Sequence, residues 1–131
     1  MTELHGWLTI SETYQNEDLL SQSELDSVMQ TVKQIIQESS VSICIQYANG
    51  TAFLQTLFCS NHHTVEIDEI IQVYTRIAET ATGSYGMIYL RDDEDKIYHN
   101  AFQAYVFRKG KRYYQEDSYF SPCIPMTEDE V

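Results

Sequence analysis

Reactive side chains gather at one place in this sequence, where Cys59 is followed three and four residues later by His62 and His63. A cysteine nucleophile needs a base held beside its sulfur and a third group to orient that base. Here no orienting residue and no oxyanion loop accompany the pair, and a cysteine on a strand is more often a small apolar core residue. Adjacent histidines on extended chain point to opposite sides, so one ion does not readily take both. No HExxH pattern and no Cys/His pair at zinc-ligand spacing occurs. The plain reading of His62-His63 is a polar loop entering a helix. A small enzyme or ligand-binding domain built on Cys59, His62 and His63 is kept as the alternative function.

A second cluster is acidic. Asp92, Asp93, Glu94 and Asp95 stand in a row with only Arg91 and Lys96 beside them. Acid–base catalysis requires one carboxyl in an apolar pocket, which raises its pKa. Four consecutive acids on a turn between strands are solvated instead, so any active role they have is recognition. The partner-binding surface is therefore placed at Asp92, Asp93, Glu94 and Asp95, with Tyr98 as an aromatic anchor. Gly83-Ser84-Tyr85-Gly86 resembles a phosphate loop only superficially. It follows a helix, leads into a strand and carries no Lys. No catalytic residue, metal or cofactor is called for.

The elements around these clusters follow from periodicity. Leu4 to Tyr14 alternates as a first strand, with Gly6 marking a bulge or a close approach and Trp7 on the second face. Asn16 to Ser40 reads as a helix with Leu25, Val28, Met29, Val32, Ile35 and Ile36 on one stripe. Its start is open between Asn16 and a Ser21/Glu24 capping box. Val41 to Tyr47 and Thr51 to Cys59 form a hairpin around Asn49-Gly50, in which Ile45 faces Leu54 and Val41 faces Phe58. Phe53 and Leu57 fall on the other face, so the hairpin is not cleanly one-sided. Thr64 to Ala81 is a second helix with Ile67, Ile70, Ile71, Tyr74, Ile77 and Ala78 as its stripe. Thr64 is its expected N-cap and Gly83 its αL terminator. Strands follow at Tyr85 to Arg91 and Asn100 to Arg108, and Lys109-Gly110 turns the chain into Lys111 to Gln115. The tail, Ser118 to Val131, is read as extended because of Pro122 and Pro125. This order predicts an α+β fold: a mostly antiparallel sheet of five or six strands with two helices on one face. Its start is ferredoxin-like, βαββαβ, with an extra C-terminal hairpin appended.

Bulk properties agree with one domain of 131 residues that can build a core, with 43% hydrophobic and 12% aromatic residues. The net charge is −12. Residues 1–70 hold ten acids and one base, Lys33, whereas residues 71–131 hold ten acids and seven bases. Such acidity repels nucleic acid and anionic membrane and attracts a basic protein, although acidity also simply keeps proteins soluble. The first residues, MTELHGW, form no apolar leader core, which predicts a cytoplasmic protein. In a reducing cytoplasm Cys44, Cys59 and Cys123 are expected to be buried apolar residues. Ten tyrosines and no defensible active site favour a binding protein over an enzyme.

Four motifs, in order, carry a resemblance. They are His5-Gly6-Trp7, Gly83-Ser84-Tyr85-Gly86, Arg91-Asp92-Asp93 and Ser121-Pro122-Cys123-Ile124-Pro125. Together they resemble immunity protein family 7 of bacterial polymorphic toxin systems, from residue 3 to about residue 129. The resemblance implies a small α+β protein that binds the C-terminal domain of a cognate toxin and silences it. The partner would include basic nucleases, whose clefts a carboxylate-rich surface can cap. On this reading His5, Gly6, Trp7, Gly83, Tyr85, Gly86, Arg91, Pro122, Cys123 and Pro125 hold the fold. A fully buried Trp7 would make Trp7→Ala cost roughly 3–5 kcal/mol.

Overall fold

The computed structural model describes residues 1–41 and 43–130. Ser42, within the expected first hairpin strand, and Val131, at the end of the expected tail, lie outside the described residues. Strand β1 (Thr2–Ile10) leads through a 3-10 turn (Glu17–Leu19) into helix α1 (Gln22–Glu38). Strands β2 (Cys44–Ala48) and β3 (Thr51–Ser60) form a hairpin, and helix α2 (Val65–Thr80) returns the chain to strand β4 (Tyr85–Asp92). Strands β5 (Gln103–Arg108) and β6 (Lys111–Glu116) make a second hairpin, and a short helix α3 (Cys123–Met126) lies in the tail.

All six strands join one antiparallel sheet in the order β2-β3-β1-β4-β5-β6. The first four are in the ferredoxin-like order with a C-terminal hairpin appended, as the sequence predicts, and that β5–β6 hairpin extends the β4 side. The core lies between one sheet face and the helices. Leu4 and Leu8 of β1, Leu54 of β3, Ile88 and Leu90 of β4 and Phe107 of β5 pack there with the expected α2 stripe and with Val32 and Ile35 of α1.

Local chemistry explains most boundaries. Asn49 and Gly50 adopt φ values of 54° and 77°, the pair of positive values a type I′ turn requires. That turn sets Ala48 against Thr51 and Ile45 against Leu54. Strand β2 begins only at Cys44, so Val41 does not join the ladder opposite Phe58. Both candidate starts of the first helix are used. Asn16 Oδ1 accepts from the Asp18 amide at 3.0 Å to cap the 3-10 turn, and Ser21 Oγ accepts from the Glu24 amide at 3.1 Å to cap α1.

Several expectations are corrected. The first strand stops at Ile10 rather than Tyr14, because the Ser11 amide leaves the ladder and donates to Ser84 Oγ at 3.1 Å. Gly83 is not an αL terminator, since only Gly50 and Gly110 among the described glycines have positive φ. It is needed because the Thr13 carbonyl occupies the place of a β-carbon. Thr64 sits at the N-cap of α2 but its hydroxyl makes no capping bond. The tail is not wholly extended. It makes one helical turn at Cys123–Met126, in which Ile124 keeps extended dihedrals, and the peptide bonds before Pro122 and Pro125 are cis. Asn100 holds that turn, accepting from the Ile124 amide at 2.8 Å and donating to the Ile124 carbonyl at 3.1 Å. Gly6 marks a close approach and not a bulge, since β1 pairs without interruption on both sides. Cys44 and Cys59 are exposed and only Cys123 is buried. Both exposed thiols belong to the sheet face that the helices leave open.

Candidate functional site

The acidic tip and the histidine loop are neighbours. The loop between β3 and α2 carries His62 and His63, and the turn after β4 carries Asp92 to Asp95. His62 Nδ1 bonds the Glu94 carboxylate at 2.8 Å, while His63 Nε2 bonds Asp68 at 2.7 Å and its Nδ1 faces Asp92 at 3.6 Å. The two imidazoles thus take different nearest partners, while both stand against the same acidic turn. Neither bonds Cys59 among the described residues. No group of three or more His, Cys, Asp or Glu side chains among those residues is arranged to hold a metal ion.

The tip itself is built from its carboxylates. Asp92 is buried, and its Oδ1 accepts from the Glu94 amide at 3.0 Å. Asp95 Oδ1 accepts from the amides of Ile97 and Tyr98, both at 2.8 Å, and the Tyr98 bond above all holds its pKa below the ordinary carboxylate value. Asp93 meets the Met1 amino group, which lowers the pKa of Asp93 and raises that of the amine. Asp93 and Glu94 keep side chains 45% and 53% exposed. Tyr98 leans on Tyr114, ring to ring at 6.2 Å, and is partly buried.

The open sheet face is the feature that inspection of separate motifs did not bring together. Cross-strand registry aligns Cys44, Gln55, Trp7, Met87, Val106 and Tyr113 in one row, with one side chain from each strand. Beside the row stand Leu57 and Tyr85. Trp7 is 44% exposed, Leu57 75%, Tyr85 52% and Tyr113 41%. Full burial of Trp7, the condition for a loss of several kcal/mol on truncation, does not hold. Its indole instead meets Tyr85 edge to face, with ring centres 6.4 Å apart. Arg108 lies over the Tyr113 ring at 4.3 Å and adds a charge to the rim. The signal was present in the sequence as Trp7, Phe53 and Leu57 on the wrong side of their strands for the core.

The rest of that face is closed by the tail. Phe120 packs on Phe102 and Phe102 on Tyr89, while Tyr89 donates to Asp117 Oδ1 at 3.2 Å. Ser121 Oγ accepts from the Phe102 amide at 2.9 Å, and Cys123 is fully buried, its thiol pKa pushed up by desolvation. His5 bonds Glu3 at 2.8 Å beside this covered half, and Arg91 is partly buried there. The tail therefore covers β4 and β5 at the end of the sheet nearest the acidic tip, and leaves β3 at that end, with Leu57 and Cys59, and the opposite end of the sheet bare.

No helix is long and apolar enough to cross a membrane. The family model described as immunity protein 7 matches residues 1–129 of the chain. No curated protein and no solved structure matches it.

Proposed function

From the premise that the chain belongs to the immunity protein 7 family, we propose that it silences its cognate toxin by stoichiometric binding and performs no chemistry of its own. An immunity protein of this family acts against a toxin, and the reading concerns how. The bare half of the open sheet face carries the proposal. Contiguous exposed aromatic and aliphatic side chains on a small protein mark interaction surfaces, and Trp and Tyr are the residues that dominate binding energy there. Trp7, Leu57, Tyr85 and Tyr113 form the contact centre.

The acidity supplies the approach. With a net charge of −12 the chain attracts a basic surface, such as the substrate cleft of a nuclease effector domain, and speeds encounter. Asp93 and Glu94, the two tip carboxylates that remain half exposed, belong to this steering rim with Tyr98 near them, whereas Asp92 and Asp95 serve the turn. The complex forms in the cytoplasm of the producing cell or its siblings, between this chain and the toxin's C-terminal domain.

The test mixes the purified chain with the C-terminal domain of the toxin encoded beside it. The expected result is a 1:1 complex by light scattering and loss of toxin activity at one equivalent. Inhibition only at large excess, or turnover of a toxin substrate by the chain alone, would sink the reading.

A further inference from the structure

The sheet ends in two free edges, β2 and β6. Lys109-Gly110 is a two-residue turn with positive φ at both positions, and such a turn makes its flanking residues, Arg108 and Lys111, a hydrogen-bonded pair. Strand alternation then directs the backbone groups of Lys111, Tyr113 and Gln115 toward β5. Those of Arg112, Tyr114 and Glu116 face outward to the free edge. The Asp117 amide keeps this phase, donating inward to the Phe102 carbonyl at 2.8 Å. From Asp117 the tail turns back over Phe102 and leaves the outer edge of β6 open. Every residue of β6 is exposed.

We propose that two copies of the chain pair along β6, antiparallel about a two-fold axis, so that the sheet of one copy continues into the other. A strand joining this edge must set outward residue against outward residue. An axis through Tyr114 does so for all three. It sets Tyr114 against Tyr114 of the second copy and Arg112 directly opposite Glu116 of the second copy, twice by symmetry. These side chains share the helix side of the sheet, where Arg112 faces Phe107 and Tyr114 faces Tyr105. Arg112 is held there by one donor of its fork, which bonds Thr75 Oγ1 at 3.1 Å, and among the described residues its other donors and the Glu116 carboxylate have no partner. Moving the axis to Tyr113 or Gln115 separates the two charges. Charged side chains on an edge strand discourage pairing with arbitrary strands, and here their order admits one register. Net charge selects the same edge. Copies of net charge −12 repel, but four of the eight bases stand at Arg108, Lys109, Lys111 and Arg112, facing the acidic end of the opposing strand. Strand β2 carries no charged residue with which to fix a register. The pairing leaves Tyr113 on the open face, so each copy keeps its own contact surface and the one-to-one ratio to toxin is unchanged.

The test is sedimentation equilibrium of the purified chain without toxin. Wild type is expected to pass from monomer to dimer as its concentration rises to about 1 mM. Arg112→Glu and Glu116→Arg should each weaken the dimer at least about tenfold, and an equimolar mixture of the two should recover it, because both facing pairs are again of opposite sign. Hydrogen exchange at the same concentrations should show that the amides of Arg112, Tyr114 and Glu116 gain protection on dimerisation. A wild-type chain that stays monomeric at about 1 mM, or a dimer that leaves those amides unprotected, overturns the proposal without any variant. A dimer that survives both reversals overturns it too and moves the contact to β2. Because no toxin is present, a monomeric result removes the dimer and leaves stoichiometric inhibition standing. Failure of the mixing experiment does the reverse.

Discussion

Gly86 of β4 lies directly on the backbone of Trp7 in β1. A β-carbon at Gly86 would overlap the Trp7 carbonyl oxygen and stand 2.8 Å from the Leu8 Cα. Backbone cannot step aside as a flexible side chain can. Gly86→Ala should therefore destabilise the fold by about 3 kcal/mol or more, read as a lower denaturant midpoint. A stability equal to wild type would mean the two strands tolerate wider spacing than the structure gives them.

Trp7 itself is expected to matter more for binding than for folding. Partial exposure limits the loss on Trp7→Ala to about 1–2 kcal/mol of stability, while affinity for the toxin domain should fall at least about tenfold. Leu57→Lys, at a position 75% exposed, should leave unfolding almost unchanged and weaken the complex similarly. Denaturation and calorimetric titration of the same samples separate the two effects. Unaltered affinity in both variants would move the contact centre elsewhere.

Tyr74 is the polar group at the centre of the core. Its hydroxyl bonds Thr56 Oγ1 at 2.8 Å, and a β-carbon at Gly6 would come within 2.9 Å of it. Desolvation pushes its pKa up from 10.0 to about 12, against a smaller opposing effect of Thr56. The unfolded chain therefore loses this proton first, so the stabilisation is complete below about pH 10 and disappears as the pH rises toward 12. Tyr74→Phe should cost about 1–2 kcal/mol at neutral pH, through the unpaired Thr56 hydroxyl, and should flatten part of the alkaline loss of stability. Unfolding curves between pH 9 and pH 11 provide the check.

Asp95 gives the acid counterpart. Its folded pKa lies below the ordinary carboxylate value, chiefly through the Tyr98 amide. Its contribution is present above the unfolded pKa and is lost as the pH falls through the lower folded value. Asp95→Ala should be less stable than wild type at neutral pH, and the gap should close in strong acid. A gap that stays constant down to pH 2 would show that the carboxylate charge is not the source.

The thiols should titrate in two classes. Cys44 and Cys59 are exposed and Cys123 is buried, so a thiol reagent should modify two cysteines in the native protein and the third only on unfolding. Three equally fast modifications would place Cys123 outside the core.

Much of the architecture was legible from short-range signals. Asn49-Gly50 and Lys109-Gly110 specify their hairpins through positive φ at both central residues, and the α2 stripe is a 3.6-residue pattern with little competition. What escaped depends on contacts distant in sequence. Alternation continues past Ile10, but the Ser11 bond to Ser84, 73 residues away, ends the strand. Gly83 looks like a helix terminator until Thr13 is seen beneath it. The acidic run is also a turn whose carboxylates meet nearby amides and imidazoles, contacts that a row of like charges does not announce. A small thiol is buried only where its strand turns it toward the core, and Cys44 and Cys59 stand on the face the helices leave open. The candidate contact face was hidden for the same reason: its members lie on six strands, and only the register brings them into one row.

That row has a consequence for timing. Its members run from Trp7 in the first strand to Tyr113 in the last, and no contiguous stretch of chain contains more than a fraction of them. An emerging or clipped polypeptide that lacks β6 presents an incomplete surface with an unpaired β5 edge. Protection of the cell against its own toxin would begin only when the whole chain has been synthesised and its two ends have met across the sheet.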